Sequence, residues 1–360
     1  MCALLTSVSA VAEEPATPGM SAGTAVPGTI HITNADIPFS DYASPEALQA
    51  ALAALKTPPT PDFHGDIKAF RAYQRKYPDE QLAKMDKVYA VTITPETIGG
   101  VETRVIMPKE GIAARNRQRV LINLHGGGFM WGAESEALVE SIPYAATNRI
   151  KVITVDYRMA PEYAFPAASE DVAAVYKALL KSYRPENIGI FGCSAGGILA
   201  AEAVAWFATH NLPKPGAIVS MCGTGAEFDG DSGYLAPVLA GQPPVPPGGK
   251  PLLLSALPYF KGVDAHDLLA FPIQSPKLLA AFPPTLLLAG SRDFSVSSET
   301  MMQRKLWEAG VDSQLFVFDG LWHAFMMDPT LPESREVYDI VGRFFDRHLG
   351  RKTRRARSKV

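Results

Sequence analysis

The chain is poor in the features that bind metals, phosphates, nucleic acids or membranes. Its 360 residues hold three cysteines, Cys2, Cys193 and Cys222. Cys193 and Cys222 lie on or just after apolar, strand-like runs. None of the three has the spacing of a zinc site, so neither a disulfide framework nor a structural metal is expected. H-E-x-x-H, a phosphate-binding loop and a dinucleotide fingerprint are all missing, and no cofactor is expected. No run is long and apolar enough to form a membrane-spanning helix. Basic surplus is lacking too. The last ten residues hold six of the 34 Lys and Arg and no acid, which leaves 28 basic against 37 acidic residues in the rest. An acidic body argues against a nucleic-acid partner. The basic tail, 351–360, reads as a solvated end.

The N-terminal region is equally sparse in core-forming pattern. Residues 3–12 end in Ala10-Val11-Ala12, an A-x-A site like the end of a secretory signal, but without a positive n-region and with a short apolar stretch. This leans towards export, periplasmic or secreted, over the cytoplasm. Residues 13–40 are rich in Pro, Gly, Thr and Ala and read as an extended lead-in, so the expected organisation is a lead-in over 1–40, one domain over 41–350 and the tail.

Within 41–350 the periodicity is α/β. Ser44-Pro45-Glu46 starts a helix, with Ser as N-cap and Pro at the first helical position. A second helix is expected over 64–85. Two runs, 88–94 and 101–107, form a hairpin-like pair around Gly99-Gly100. From Val120 onward, apolar runs alternate with helical segments, the pattern of a mostly parallel, doubly wound sheet. Eight strands are expected in all, the others at 119–124, 151–156, 187–191, 216–221, 284–290 and 313–318. The alternation breaks at 223–283, which is rich in Pro and Gly around Gln242–Gly249.

Two segments carry chemistry. Gly192-Cys193-Ser194-Ala195-Gly196 follows the apolar run 187–191 and precedes a helix over 195–210. A G-x-S-x-G in that context puts Ser194 on a sharp strand-to-helix turn, at an unfavourable backbone conformation, with the helix N-terminus aimed at the reacting centre. Side chains at 192 and 196 would strike neighbouring backbone. His125-Gly126-Gly127-Gly128-Phe129 follows the strand at 119–124. Three consecutive glycines are entropically costly in an ordered loop, and the cost makes sense where backbone N–H groups must approach a developing oxyanion. His125 reads as a structural residue that holds the loop.

With these segments stands Asp156-Tyr157-Arg158-Met159-Ala160-Pro161-Glu162, close to Y-R-L-A-P-E, and a stretch from Tyr259-Phe260 to Ser275-Pro276. From about Val88 to about Leu349 the chain resembles the hormone-sensitive-lipase-like family of α/β-hydrolases, the carboxylesterase and lipase group marked by H-G-G-G. The resemblance implies an α/β-hydrolase fold with an eight-stranded, mostly parallel sheet. It implies a helical cap from residues 41–86 and 223–283, and an oxyanion hole from the N–H groups of Gly127, Gly128 and Ala195. The family usually carries Asp before the nucleophile; this chain has Cys193, expected to be a small buried residue. Arg158 and Glu162 are expected to be structural, in a salt-bridged turn that supports the oxyanion loop.

In this fold the order is Ser, then acid, then His. His323 follows the strand-like 314–318, where the base belongs, whereas His266 lies in a Pro-rich region and reads as a surface residue. Asp293 follows the run 285–290 and fits the acid. Asp319 and Asp328 are nearer His323 in sequence and read as solvated loop carboxylates. Phe129, Trp131 and Tyr259 suggest an apolar substrate pocket, though such aromatics suit an ordinary core equally. The expected function is therefore hydrolysis of short-to-medium acyl esters or lactones through Ser194, His323 and Asp293 and an acyl-enzyme, with a small-molecule ester as partner. An amidase or peptidase on the same residues, or a non-catalytic ligand receptor on this scaffold, are the competing readings.

Overall fold

The computed structural model describes residues 36–241 and 252–350. The signal-like segment, most of the lead-in, the Pro-rich run at 242–251 and the basic tail lie outside the described residues.

Ser44 caps the first helix, α1 (Pro45–Ala54), accepting from the Ala47 N–H at 3.1 Å. The helix expected over 64–85 is two helices, α2 (Ile67–Gln74) and α3 (Lys76–Met85). Pro78 is the cause: it has no N–H to offer the Gln74 carbonyl, so the ladder stops there and restarts. Strands β1 (Val91–Ile98) and β2 (Val101–Pro108) form the expected hairpin, with Ile98 opposite Val101. β1 begins three residues later than expected, because Val88 and Tyr89 remain hydrogen-bonded to the Met85 carbonyl at the end of α3. Pro95 fits within β1 because β1 is an edge strand.

The alternating part then follows as β3 (Val120–Leu124), α4 (Ser135–Asn148), β4 (Lys151–Val155), α5 (Ala167–Leu179), β5 (Ile188–Cys193), α6 (Ala195–Thr209) and β6 (Ala217–Met221). After α7 (Asp231–Ala240) and the short α8 (Pro276–Leu279) come β7 (Thr285–Gly290), α9 (Val296–Glu308), β8 (Ser313–Phe318) and α10 (Pro332–His348). The sheet order is β1-β2-β4-β3-β5-β6-β7-β8, parallel from β4 to β8 and antiparallel on either side of β2. This is the α/β-hydrolase architecture that the family resemblance implies.

Alternation along the strands divides the core in two. Leu121, Phe191, Val219, Leu286 and Leu288 face a layer with α4 and α10, including Ile142, Tyr144, Tyr338 and Phe345. Ile122, Ile190, Ile218 and Leu287 face the opposite layer with α5, α6 and α9, including Val172, Leu199, Val204 and Met302. Both faces of β3 and β5 are thereby sealed. The loops at their carboxyl ends, which carry the glycine run and Ser194, start from rigid supports.

Candidate active site

Ser194 sits between β5 and α6 with φ 56° and ψ −121°. A non-glycine residue holds this conformation only when its surroundings enforce it. Here the enforcement is steric and bonded. The Ser194 N–H donates to the Met221 carbonyl at 2.7 Å, and the Ser194 carbonyl accepts from Ile198. A Cβ at Gly192 or Gly196 would overlap the Leu124 carbonyl oxygen, so only glycine lets the turn lie against the end of β3.

The imidazole of His323 joins this serine to Asp293. Nε2 lies 2.9 Å from Ser194 Oγ and Nδ1 lies 2.9 Å from Asp293 Oδ1. With the ring proton on Nδ1 donated to Asp293, Nε2 accepts from the serine hydroxyl. Asp293 is fully buried, and its Oδ1 also accepts the Ser295 N–H at 2.9 Å. The loops carrying Asp293 and His323 meet because Gly290 closes β7 without a side chain; a Cβ there would overlap the Leu321 carbonyl. The Arg292 N–H donates to the same carbonyl. Phe294 stacks on the imidazole with centroids 4.3 Å apart, and Phe228 packs edge-on against Phe294.

The glycine run turns through three successive left-handed residues, Gly127, Gly128 and Phe129, at φ 95°, 57° and 59°. Among the described residues the N–H groups of Gly127 and Gly128 have no protein acceptor. The Ala195 N–H, first in α6, has no intrahelical one. His125 is buried beneath the run, stacked on Tyr157 with centroids 4.2 Å apart, and its Nδ1 lies 2.8 Å from the Gly126 carbonyl. Burial lowers its pKa to about 4, so the ring is neutral. No carboxylate pairs with it, and it acts as a packed support for the loop.

The three aromatics associated with a pocket take different places. Phe129 and Tyr259 have no exposed surface and stack on each other at 4.3 Å, with the Tyr259 hydroxyl accepting from Ala168. They pack the core beneath the glycine run. Trp131 is half-buried, its ring edge beside Gly128, and it forms a T-shaped pair with Phe70 of α2.

The remaining residues weighed in the sequence are also located. His266 is exposed and bonded to Gln274. Asp319 is bonded by Ser40, whereas Asp328, expected to be solvated, is mostly buried and bonded by Lys84 and Thr330. Arg158 and Glu162 both form ion pairs, but not with each other. Arg158 holds Asp171 and Glu170 of α5, while Glu162 pairs with Arg71 of α2. Arg71 also donates to the carbonyls of Met130 and Ala160, tying α2 to the glycine run. Cys193 is buried, 3.9 Å from the sulfur of Met326.

Arg71, Phe294, Glu140 and Glu299 stand at the site without a sequence motif. The Glu140 carboxylate accepts the Gly126 N–H, and Glu299 accepts the Gly223 N–H, both at 2.8 Å. The available signal for Glu140 was one acidic residue in the mostly apolar helical stretch Leu138 to Tyr144.

Among the described residues, only Cys222, Asp293 and His323 bring three potential metal-ligand atoms together, within 4.8 Å of one another. The same Asp293 and His323 atoms are engaged in the chain to Ser194, and Cys222 Sγ accepts from the Ala324 N–H. No helix among the described residues is long and apolar enough to cross a membrane.

Residues 121–327 match the model of an α/β hydrolase fold family. An acetyl-hydrolase of Streptomyces hygroscopicus is 27% identical over 240 residues, 64% of this chain and 76% of the relative. An esterase of Acinetobacter venetianus is 25% identical over 264 residues, 71% and 82% of the two chains. The crystal structure of an esterase, E25, superposes with a TM-score of 0.78 at 26% identity, covering 89% of this chain and 99% of that one. The chain belongs to the α/β-hydrolase-fold family and is an enzyme of the carboxylesterase and lipase type.

Proposed function

We propose that the protein hydrolyses carboxylic esters of short-to-medium acyl length, or lactones, through an acyl-enzyme on Ser194. The observation that carries this reading is the continuous Asp293–His323–Ser194 hydrogen-bond chain, 2.9 Å at each link. His323 Nε2 takes the Ser194 proton as Oγ attacks the acyl carbon. Asp293 holds the imidazole in the required tautomer and stabilises the imidazolium. The tetrahedral oxyanion accepts from the N–H groups of Gly127, Gly128 and Ala195, a set of donors fixed before the charge develops. Collapse breaks the bond to the leaving oxygen, which takes the proton from Nε2 and departs as an alcohol. Water then attacks the acyl-enzyme with His323 again as base, releasing the acid and restoring Ser194.

In this reading residues 41–86 and the described parts of 223–283 act as a cap. Two features support it. Arg71 fastens α2 to the Met130 carbonyl, and Ser232 of α7 donates to the Phe294 carbonyl beside Asp293 and His323. The Trp131–Phe70 pair beside Gly128 suits an apolar acyl or alcohol group.

The test is hydrolysis of p-nitrophenyl esters from acetate to palmitate by wild type and Ser194→Ala, with a matched amide series. Turnover confined to the wild type, with an optimum at short or medium chains and a covalent adduct from a serine-reactive phosphonate, is expected. Activity retained in pure Ser194→Ala, or amides cleaved faster than esters, overturns the reading.

A further inference from the structure

We propose that Glu140 is a positioning residue for the reaction, a carboxylate strut that locks the glycine run to the nucleophile turn. Its inference rests on the reading of Gly127, Gly128 and Ala195 as oxyanion donors.

Glu140 lies in the first half of α4 and is 4% exposed. Its Oε1 accepts the Gly126 N–H at 2.8 Å. Its Oε2 accepts from Asn123 Nδ2 at 3.2 Å and from the Cys193 N–H at 3.4 Å. Gly126 immediately precedes Gly127 and Gly128, and Cys193 immediately precedes Ser194 and Ala195. One carboxylate therefore bridges the two segments that would bind the oxyanion, just beyond the ends of β3 and β5. Asn123 is itself held by Thr154 of β4, which fixes the far end of the strut at 2.8 Å.

The site is shaped around this carboxylate. A Cβ at Gly126 would come within 2.5 Å of Glu136 Oε1 and 3.2 Å of Glu140 Oε1, so glycine here admits the acidic side chains rather than a turn. Three N–H donors reach Glu140, while the Glu136 carboxylate also borders Gly126; burial and that neighbour raise the pKa of Glu140. A buried carboxylate at this place is costly unless its hydrogen bonds are made. Its persistence inside an apolar helix face is explained by what those bonds align. Relative displacement of the two donor segments by a fraction of an ångström would weaken oxyanion binding in the transition state while leaving ground-state binding nearly intact.

The experiment compares Glu140→Leu and Glu140→Gln with wild type on p-nitrophenyl butyrate. A reversible trifluoromethyl ketone, which forms a tetrahedral adduct on Ser194, reports the oxyanion site separately. Glu202→Gln serves as a control, since Glu202 is a buried acid on α6 bonded only to Ser169. For Glu140→Leu, kcat is expected to fall about 100-fold with KM within about threefold, and the ketone inhibition constant to rise in step. Glu140→Gln keeps one acceptor and is expected to recover about tenfold of that loss. The control keeps wild-type kcat. A folded Glu140→Leu with kcat within about threefold of wild type, or a fall in kcat without weaker ketone binding, overturns the proposal. If Glu140→Leu does not fold, Glu140→Gln decides: its kcat and ketone affinity fall together, or the proposal fails. Failure of the underlying ester-hydrolase reading is distinguishable, because wild type would then form no phosphonate adduct or would cleave the matched amides faster than the esters.

Discussion

The phenyl ring of Phe294 lies against the imidazole of His323, centroids 4.3 Å apart and planes 27° from parallel. Phe294 directly follows Asp293, so one turn of chain carries both the carboxylate that bonds the ring edge and the surface that supports its face. Removing that support in Phe294→Ala leaves the hydrogen bond to Asp293 but frees the ring to tilt. Since misplacement near 1 Å costs about 100-fold, kcat/KM is expected to fall roughly 10- to 100-fold. Phe294→Leu is expected to lose much less. Steady-state kinetics on p-nitrophenyl butyrate check both, and equal kinetics for all three proteins would refute the supporting role.

Asp293→Asn preserves shape but permits the wrong imidazole tautomer. A fall in kcat of about 10⁴-fold is expected, with a near-native circular dichroism spectrum. A loss below about tenfold would mean that another group orients His323.

Gly196 is the turn position where a side chain fits least, because its Cβ would overlap the Leu124 carbonyl. Backbone cannot yield there without separating β3 from the nucleophile turn. Gly196→Ala is expected to cost about 3 kcal/mol or more and to abolish turnover. Urea unfolding curves measure the first and ester hydrolysis the second.

Arg71 and Glu162 allow two contributions to be separated. Their ion pair is partly solvated, at 29% and 45% exposure, and is expected to contribute no more than about 1 kcal/mol. The bonds from Arg71 to the carbonyls of Met130 and Ala160 hold the chain just past the glycine run and the segment whose Ala160 N–H donates to the Phe129 carbonyl. Glu162→Gln is therefore expected to change activity little, whereas Arg71→Met is expected to lower kcat/KM by about tenfold or more. Comparable losses in the two variants would assign the effect to the ion pair.

Two buried groups pull the pH dependence of stability in opposite directions. Burial lowers His125 from 6.5 to about 4. The unfolded chain takes up that proton first, so stability is lost as pH falls from about 6.5 towards 4. Burial raises Glu136 from 4.5 to about 7, against the pull of His323 and a Trp131 hydrogen bond. The folded chain holds that proton longer, so this contribution is lost as pH rises from about 4.5 to 7. Glu136→Gln removes the second effect and relieves Glu140 of a like charge that raises its pKa. Urea unfolding between pH 6.5 and 5 is expected to show the variant losing stability on acidification more steeply than wild type. Parallel curves would contradict the assignment.

The parts of the site visible in the sequence are those whose chemistry demands a short contiguous pattern. Gly192, Ser194 and Gly196 must share one turn, because the constraint is a collision with backbone two or three bonds away. The strand–helix alternation was equally visible, since burial on both faces writes uninterrupted apolar runs such as Leu286–Leu288. The helix over 64–85 was misjudged because Pro78 breaks a ladder whose continuity the flanking residues do not report. Phe129 and Tyr259 had the composition of pocket residues, yet stack in the core; an aromatic ring is equally suited to either, and only its neighbours decide.

The sequence by itself determined the order of elements and the turn that strains Ser194, because each depends on local periodicity or on backbone sterics; the candidates His323 and Asp293 needed, besides their places after strand-like runs, the Ser–acid–His order that the family resemblance implies. Only the tertiary structure decided that His323 joins Asp293, 30 residues away, to Ser194 at 2.9 Å per link, that Glu140 spans Gly126 and Cys193, and that Arg71 reaches the Met130 carbonyl just past the glycine run. Those contacts join positions 14 to 129 residues apart. They exist because parallel strands end side by side at one edge of the sheet, a relation that no local pattern encodes.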